Sequence, residues 1–227
     1  MTKNPVTIEL HKKLNPKLWD SNGVLRKDVK LALLRIAESY YEFLNTPVEI
    51  LELLITGSQA NYNYSEYSDI DLHLVVDYGQ VSCDQPVEDL FDTKRRLWKE
   101  RHDINIHGIP VEVYVEDLAH PAVTSSYSLV KDQWINKPKP VTAHWDNDEI
   151  SQQTAEWLQE FKQAIKSQDI ERLEDAKRRL KQYRQQGLDQ EGEYGTNNLV
   201  FKNLRNLGAI SLLMRAAIKI QDRNLSI

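Results

Sequence analysis

Only one cysteine, Cys83, is present among the 227 residues of the sequence. A single thiol excludes an internal disulfide, and no Cys/His cluster has the spacing of a structural zinc site. Long apolar runs are also missing, so we expect neither a transmembrane helix nor a membrane partner. The first segment, MTKNPVTIELHKKLNP, lacks the apolar stretch of a signal peptide. These absences together predict a protein of the reducing cytoplasm.

An excess of positive charge is absent as well. The chain has 29 Lys and Arg residues against 34 Asp and Glu residues, which gives a formal net charge of −5. A polycationic nucleic-acid-binding protein is therefore excluded, and contact with a polyanion requires a local basic patch. The chain is nevertheless long enough to bury a substantial core in one large domain or two small ones.

Apolar periodicity predicts strands and helices in the first part of the chain. Helical spacing recurs over 26–44 and over 86–102, and Pro86 suits the first turn of the second helix. The strand-like stretches are 48–56, 69–74, INIHGIPVEVYVED and YSLVKDQWI, of which the last two are predicted hairpins turning at His107-Gly108 and at Lys131-Asp132. The Leu and Glu residues of 48–56 also allow a helix there.

A composition change around Pro138 and Pro140 predicts a domain boundary, which we place between 1–145 and 146–227. Beyond it the pattern is helical throughout. The predicted helices are 149–186 with Gly187 as its C-cap, 196–206, and 209–222 after a break at Gly208. The predicted fold class is therefore α+β: a small mixed β-sheet flanked by helices, followed by a helical C-terminal domain.

The stretch GSQANYNYSEYSDIDLHLVV, residues 57–76, places two aspartates inside a strand pattern, although aspartate is a poor strand former. Alternation puts Asp69, Asp71 and His73 on one face of the strand and apolar residues on the other. Two carboxylates separated by about two strand rises, ~6.5–7 Å, repel each other unless a cation lies between them. Mg²⁺ suits such a site because it prefers a few carboxylates together with substrate phosphates.

Further residues complete the predicted site. In PVEVYV, Glu112 alternates with valines and is the candidate third carboxylate, with Glu116 as its substitute. Gly57 allows close backbone approach, and the Ser58 hydroxyl with nearby amide groups can hold a phosphate. Lys131 is a candidate contact for a triphosphate.

Other residues allow two interpretations each. His73 is either structural or part of the site. The tyrosine-rich loop either stacks on a base or packs within the protein, and its members are Tyr62, Tyr64 and Tyr67. The basic side chains over 94–101 form a solvated helix face or contact phosphate. The stretch DAKRRLKQYR around Arg178 is a solvated face or follows an RNA backbone.

The combination of Gly57-Ser58, Asp69-x-Asp71 and Glu112 resembles the polymerase-beta-type nucleotidyltransferase superfamily, especially small phage and bacterial predicted nucleotidyltransferases. The resemblance implies transfer of a nucleoside monophosphate from an NTP such as ATP to a hydroxyl, with release of pyrophosphate. It also implies two Mg²⁺ ions, or Mn²⁺ in their place, held by the three carboxylates. The third carboxylate would help to activate the acceptor hydroxyl.

In such enzymes the second domain commonly selects the acceptor, which implies that role for 146–227. The acceptor is left open between RNA (tRNA especially), protein and a small molecule, and the oligomeric state is also left open. One alternative is a non-catalytic nucleotide-binding or antitoxin-like interaction module that retains the fold. A metal-dependent phosphohydrolase fits less well, because the histidine-rich motifs of such enzymes are missing.

Overall fold

The computed structural model describes residues 5–82, 86–119 and 125–226, so Cys83 lies outside the described residues. The described residues form six α-helices, two short 3₁₀ turns and a six-stranded sheet. The strands lie in the N-terminal half and four of the helices follow them, which confirms the predicted α+β class. The chain divides into two compact units, one of residues 9–141 and one that joins 142–226 to residues 5–8.

The first unit contains the sheet. Its strands are β1 (Glu52–Thr56), β2 (Ile70–Val76), β3 (Asn105–Ile106), β4 (Ile109–Asp117), β5 (Ser126–Ser128) and β6 (Gln133–Asn136). The strand order is β3-β4-β2-β1-β5-β6. Only β2 and β4 pair in parallel, and the other neighbours are antiparallel. The sheet is therefore mixed, as predicted. Helix α2 (Val87–Arg101) lies in the crossover that a parallel pair requires.

The two faces of the sheet differ in polarity because side chains alternate along each strand. One face carries Ile55, Leu72 and Val113, which are buried with side chains of α1 (Lys27–Leu44) and α2. Each large apolar side chain buried in this way contributes roughly 1.5–3 kcal/mol. The opposite face carries the polar side chains, which include Glu52, Thr56, Asp71, His73, Glu112, Tyr114, Glu116 and Ser128.

Both predicted hairpins are confirmed. The first turns at His107 and Gly108, which have φ of 52° and 77°. Successive residues with positive φ give the type of tight turn that matches the twist of antiparallel strands. The second hairpin joins β5 to β6, and Asp132 has φ of 56° just before β6 begins.

The second unit is a bundle of four helices: α3 (Asn147–Ser167), α4 (Ile170–Glu191), α5 (Thr196–Asn206) and α6 (Ala209–Leu225). The single helix predicted over 149–186 was wrong. Gln168 adopts the left-handed conformation, with φ of 56°, and ends α3. The Asp169 side chain then accepts a hydrogen bond from the Glu171 amide at 2.9 Å and caps α4.

The prediction of Gly187 as a C-cap was also wrong, because this glycine lies within α4. A Cβ atom on Gly187 would come within 2.5 Å of the Asn197 Cβ atom on α5. Glycine is therefore needed here for the close approach of two helices and not for a turn. Gly192, with φ of 75°, ends α4 instead.

Residues 5–8 pack against this bundle through the fully buried side chain of Asn203. The Asn203 amide oxygen accepts hydrogen bonds from the Thr7 amide at 2.9 Å and from the Thr7 hydroxyl at 2.8 Å. Its amide nitrogen donates to the carbonyl of Pro5 at 3.2 Å and to Thr154 Oγ1 at 3.1 Å. A buried amide with all of these partners fixes the N-terminal segment in place. Among the described residues, no helix is both long enough and apolar enough to cross a membrane.

Candidate functional site

Gly57 follows the last residue of β1 and lies against the carboxylate of Asp71. Its φ of 71° and ψ of −160° belong to a region that is almost restricted to glycine. A Cβ atom at this position would lie 1.9 Å from Asp71 Oδ2. The carboxylate therefore occupies the space that any other side chain at position 57 would need.

Asp71 and Glu112 are neighbours across the sheet. Asp71 is the register partner of Thr56 on β1 and of Glu112 on β4. Register partners on adjacent strands are roughly 4.8 Å apart and point to the same face. Both carboxylates therefore lie on the polar face, away from the core. Asp69 immediately precedes β2, two residues before Asp71.

The Glu112 carboxylate has two close partners. The Lys99 ammonium group on α2 donates to Oε1, and the Tyr114 hydroxyl donates to Oε2 at 2.6 Å. Burial acts to raise the pKa of Glu112, but these hydrogen bonds and the charges of Lys99 and Arg95 outweigh burial and lower the pKa. Burial, together with the hydrogen bond to Glu112, raises the pKa of Tyr114 well above its usual range.

Arg95 and Lys99 belong to the basic stretch over 94–101, for which the sequence left a solvated helix face and phosphate contact both open. The Arg95 guanidinium carbon lies 5.0 Å from the centroid of the Tyr114 ring. Arg95 and Lys99 are one helical turn apart, so both approach the same edge of β4. The sequence feature that could have indicated this location is their spacing from the buried residues Phe91 and Trp98. This spacing places Arg95 and Lys99 beside the apolar stripe of α2 and not opposite it.

His73 connects three strands of the polar face. Its Nδ1 lies 2.7 Å from Glu116 Oε2, and its Nε2 lies 3.0 Å from the Thr56 hydroxyl. The imidazole ring also stacks on Tyr114, with ring centroids 4.9 Å apart. Glu116 is thus a partner of His73, whereas Glu112 is the acidic residue beside Asp71. These contacts hold the Tyr114 ring, and through it the Glu112 carboxylate, in a defined orientation.

Ser58 begins a 3₁₀ turn, Ser58–Ala60, whose position is fixed by the buried residue Gln59. The Gln59 side chain accepts a hydrogen bond from Asn15 Nδ2 at 2.9 Å and donates one to the carbonyl of Ser68 at 3.1 Å. Its backbone carbonyl accepts a hydrogen bond from Trp19 Nε1 at 2.8 Å. The turn carrying Ser58 is therefore preorganised by contacts on its inner side.

Lys131 is not beside Gly57-Ser58. Its ammonium group lies 3.2 Å from Glu52 Oε2, and its amide donates to the Ser128 hydroxyl at 2.8 Å. Glu52 begins β1 whereas Gly57 follows its end, a separation of about 16 Å along an extended strand. In this arrangement Lys131 belongs to the opposite end of the polar face.

The tyrosines and the basic helix have distinct environments. The Tyr64 ring stacks on His11, with centroids 3.9 Å apart, whereas Tyr67 is 44% exposed.

In α4, Arg178 pairs with Asp175, and Arg179 pairs with Glu160 at 2.7 Å. The charges of Arg178 and Arg179 are therefore offset locally, which favours the solvated face over contact with an RNA backbone.

The pair Asp71 and Glu112 fits a hard divalent cation in donor chemistry, and the two residues are register partners on adjacent strands. Among the described residues, however, no group of three His, Cys, Asp or Glu side chains is close enough to hold a metal ion in the present arrangement. The Lys99 ammonium group pairs with the Glu112 carboxylate, and the Lys99 side chain is 67% exposed. Such an exposed lysine can leave at low cost, because surface ion pairs contribute only ~0–1 kcal/mol.

Comparison of the chain with family models, with curated proteins and with solved structures finds no significant match.

Proposed function

We propose that the sheet unit is a metal-dependent nucleotidyltransferase, which moves a nucleoside monophosphate from an NTP to a hydroxyl acceptor and releases pyrophosphate. The observation that carries this proposal is the placement of Asp71 between Gly57 and Glu112 on one polar face. A backbone turn that admits no side chain adjoins two neighbouring carboxylates, and this combination suits a phosphate group and the cation that accompanies it.

Asp69, Asp71 and Glu112 are the residues that would hold Mg²⁺ or Mn²⁺. When bound, such ions supply charge neutralisation for the triphosphate and for the leaving pyrophosphate. The Ser58 hydroxyl donates a hydrogen bond to a phosphate oxygen, and Gly57 leaves room for the Asp71 carboxylate beside that turn. Lys99 and Arg95 provide positive charge at the same edge of the sheet.

The reaction forms one bond and breaks one. The acceptor oxygen bonds to the α-phosphorus of the NTP, while the bond from that phosphorus to the bridging oxygen breaks and its electron pair leaves with pyrophosphate. The acceptor proton passes to a carboxylate of the site, for which Glu112 is the candidate. Departure of Lys99 makes Glu112 more basic, because a hydrogen bond that lowers its pKa is lost.

The test is transfer of label from each α-³²P-labelled NTP, in the presence of Mg²⁺, to total RNA, to total protein and to small hydroxyl compounds. We expect covalent label in one acceptor class and release of unlabelled pyrophosphate. Asp71→Asn is the inactive control, and Glu38→Gln, an exposed carboxylate on α1, is the matched control that retains activity. Transfer that persists undiminished in Asp71→Asn would contradict the proposal.

A non-catalytic nucleotide-binding or interaction module is the second candidate, and one observation favours it. Lys99 and Tyr114 together occupy both oxygens of Glu112, as they would in a purely structural network. This candidate predicts an increase in melting temperature with NTP but no labelled product with any acceptor. The transferase proposal predicts the same increase in melting temperature and, in addition, a labelled product. The two measurements together therefore separate the candidates.

A further inference from the structure

A cavity lies in the sheet unit, lined by none of the carboxylates discussed above. Its volume is about 720 Å³, within the range of roughly 300–1,000 Å³ that is usual for ligand sites. The side chains that determine its chemistry are His11, Lys12, Lys13, Tyr62, Tyr64 and Lys137. Its wall therefore combines basic and aromatic groups.

Lysines outnumber carboxylates among the side chains that line this cavity, although the whole chain has a formal net charge of −5. Lys12, Lys13 and Lys137 are exposed, and none of them forms an ion pair with a described residue. Asp20 is the acidic residue among the described lining, but its Oδ1 accepts hydrogen bonds from the amides of Asn22 at 2.8 Å and Val24 at 2.9 Å. The cavity is thus the local basic patch that contact with a polyanion requires.

The aromatic side chains of the cavity differ in how far their rings are covered by other rings. Trp19 is buried and stacks on Trp134 with ring centroids 4.6 Å apart, so this pair is structural. One face of Tyr64 is covered by His11. The Tyr62 ring, in contrast, stacks on no other ring in the described part of the chain, while its carbonyl is held by the His11 amide at 2.7 Å. Tyr62 therefore has a fixed backbone and a half-buried ring with no aromatic partner among the described residues.

We propose that this cavity binds single-stranded nucleic acid, with Lys12, Lys13 and Lys137 on the phosphates and Tyr62 stacked on a base. A basic groove beside an aromatic platform is the usual means of holding a single strand without sequence preference. The loop between Ser58 and Asp69 contributes Tyr62 to the cavity, so the two sites share one segment. Binding does not depend on the transferase activity, but identification of the strand as the acceptor rests on the proposed function.

The binding experiment uses the full chain with EDTA and without NTP. Fluorescence anisotropy measures the affinity for a labelled single-stranded RNA of about 12 nucleotides at several salt concentrations. We expect Lys12→Glu/Lys13→Glu to weaken binding by at least ~10-fold and to reduce the salt slope by ~0.7 for each lost phosphate contact. Lys162→Glu/Lys166→Glu, an equal charge change at exposed residues of α3 that do not line the cavity, should leave the affinity within ~2-fold, because lysines that contact no phosphate release no counterions.

The aromatic part of the proposal has its own matched pair. Tyr62→Ala should weaken RNA binding by about 10-fold through lost base stacking, whereas Tyr67→Ala, in the same loop but outside the cavity lining, should not. Inorganic polyphosphate is the competitor that reports phosphate contact alone. Competition by polyphosphate as strong as competition by RNA, together with no effect of Tyr62→Ala, would overturn the assignment to nucleic acid.

Absence of RNA binding at low salt would overturn the proposal. An equal loss of RNA affinity in Lys162→Glu/Lys166→Glu would overturn it as well. Circular dichroism melting checks the fold of each variant, and Lys12→Gln/Lys13→Gln replaces the glutamate variant if that variant fails to fold. Failure of RNA binding with intact transfer to another acceptor would reject this inference alone. RNA binding without any transfer activity would support it and reject the proposed function.

Discussion

The ammonium group of Lys99 on α2 forms a charge-assisted hydrogen bond to the carboxylate of Glu112 on β4. Lys99 is largely exposed, whereas the Glu112 side chain is only 18% exposed. The carboxylate is therefore held within the sheet while its cationic partner is able to leave. This asymmetry makes Lys99 the group that a divalent cation has to displace.

Lys99→Gln should strengthen the binding of Mg²⁺ or Mn²⁺ several-fold, because the competing ammonium group is removed. The fold should lose no more than ~1 kcal/mol, which is usual for a partly exposed ion pair. Isothermal titration with Mg²⁺ measures the affinity, and Lys94→Gln on the same helix is the matched control. Unchanged or weaker cation binding in Lys99→Gln alone would show that the two groups do not compete.

The lowered pKa of Glu112 predicts a pH dependence of stability. The carboxylate form is favoured in the folded state, so its contribution is fully present above the ordinary value of 4.5 and is lost as the pH falls through the lowered folded-state pKa. Glu112→Gln removes this contribution. The difference in unfolding free energy between wild type and Glu112→Gln should therefore be constant from pH 7 to about pH 5 and change below about pH 4.5.

Urea unfolding at each pH provides that measurement. Glu38→Gln, at an exposed position on α1, is the control and should show no such change. A difference that is flat down to pH 3 in the Glu112 variant would mean that Lys99 and Tyr114 do not favour the charged form of this residue.

Alternation along the strands was sufficient to predict which residues share the polar face. Asp71 and Glu112 each alternate with apolar residues that need the core, so their orientation follows from local sequence. That the two strands pair directly, with these residues in register, depends on the crossover through α2 and is not a local property. Alternation identified the two strands, and topology brought their carboxylates together.

The features that sequence could not provide depend on contacts distant along the chain. The role of Gly187 follows from the approach of Asn197 on α5, which no turn pattern encodes. Lys131 lies beside Glu52 because of the register between β1 and β5. Lys99 reaches Glu112 because of how α2 lies along the edge of β4. In each case a side chain's neighbour is set by packing and not by periodicity.

Gly57→Ala should impair both folding and NTP use. The strained backbone alone costs about 1–3 kcal/mol, and the new methyl group would displace Asp71. Ser58→Ala should have a smaller effect. It should leave the melting temperature nearly unchanged and raise the KM for NTP by a factor that corresponds to the loss of one hydrogen bond, roughly 1–3 kcal/mol of binding free energy. Thermal melting and steady-state kinetics distinguish the two effects. A Gly57→Ala protein with wild-type KM for NTP would exclude the phosphate site at this turn.

Asp71→Asn and Asp69→Ala should each abolish transfer while the chain still folds. Each change removes an anionic oxygen ligand that the cation needs, so we expect the rate to fall by at least ~100-fold. Folding should be unaffected or slightly favoured, because one of the neighbouring carboxylates no longer repels the others. Melting curves, Mg²⁺ titration and label transfer together test this expectation. Loss of transfer accompanied by unfolding would indicate a structural role for the aspartate, whereas loss of both Mg²⁺ binding and transfer in a folded protein is the result that a metal-dependent site requires.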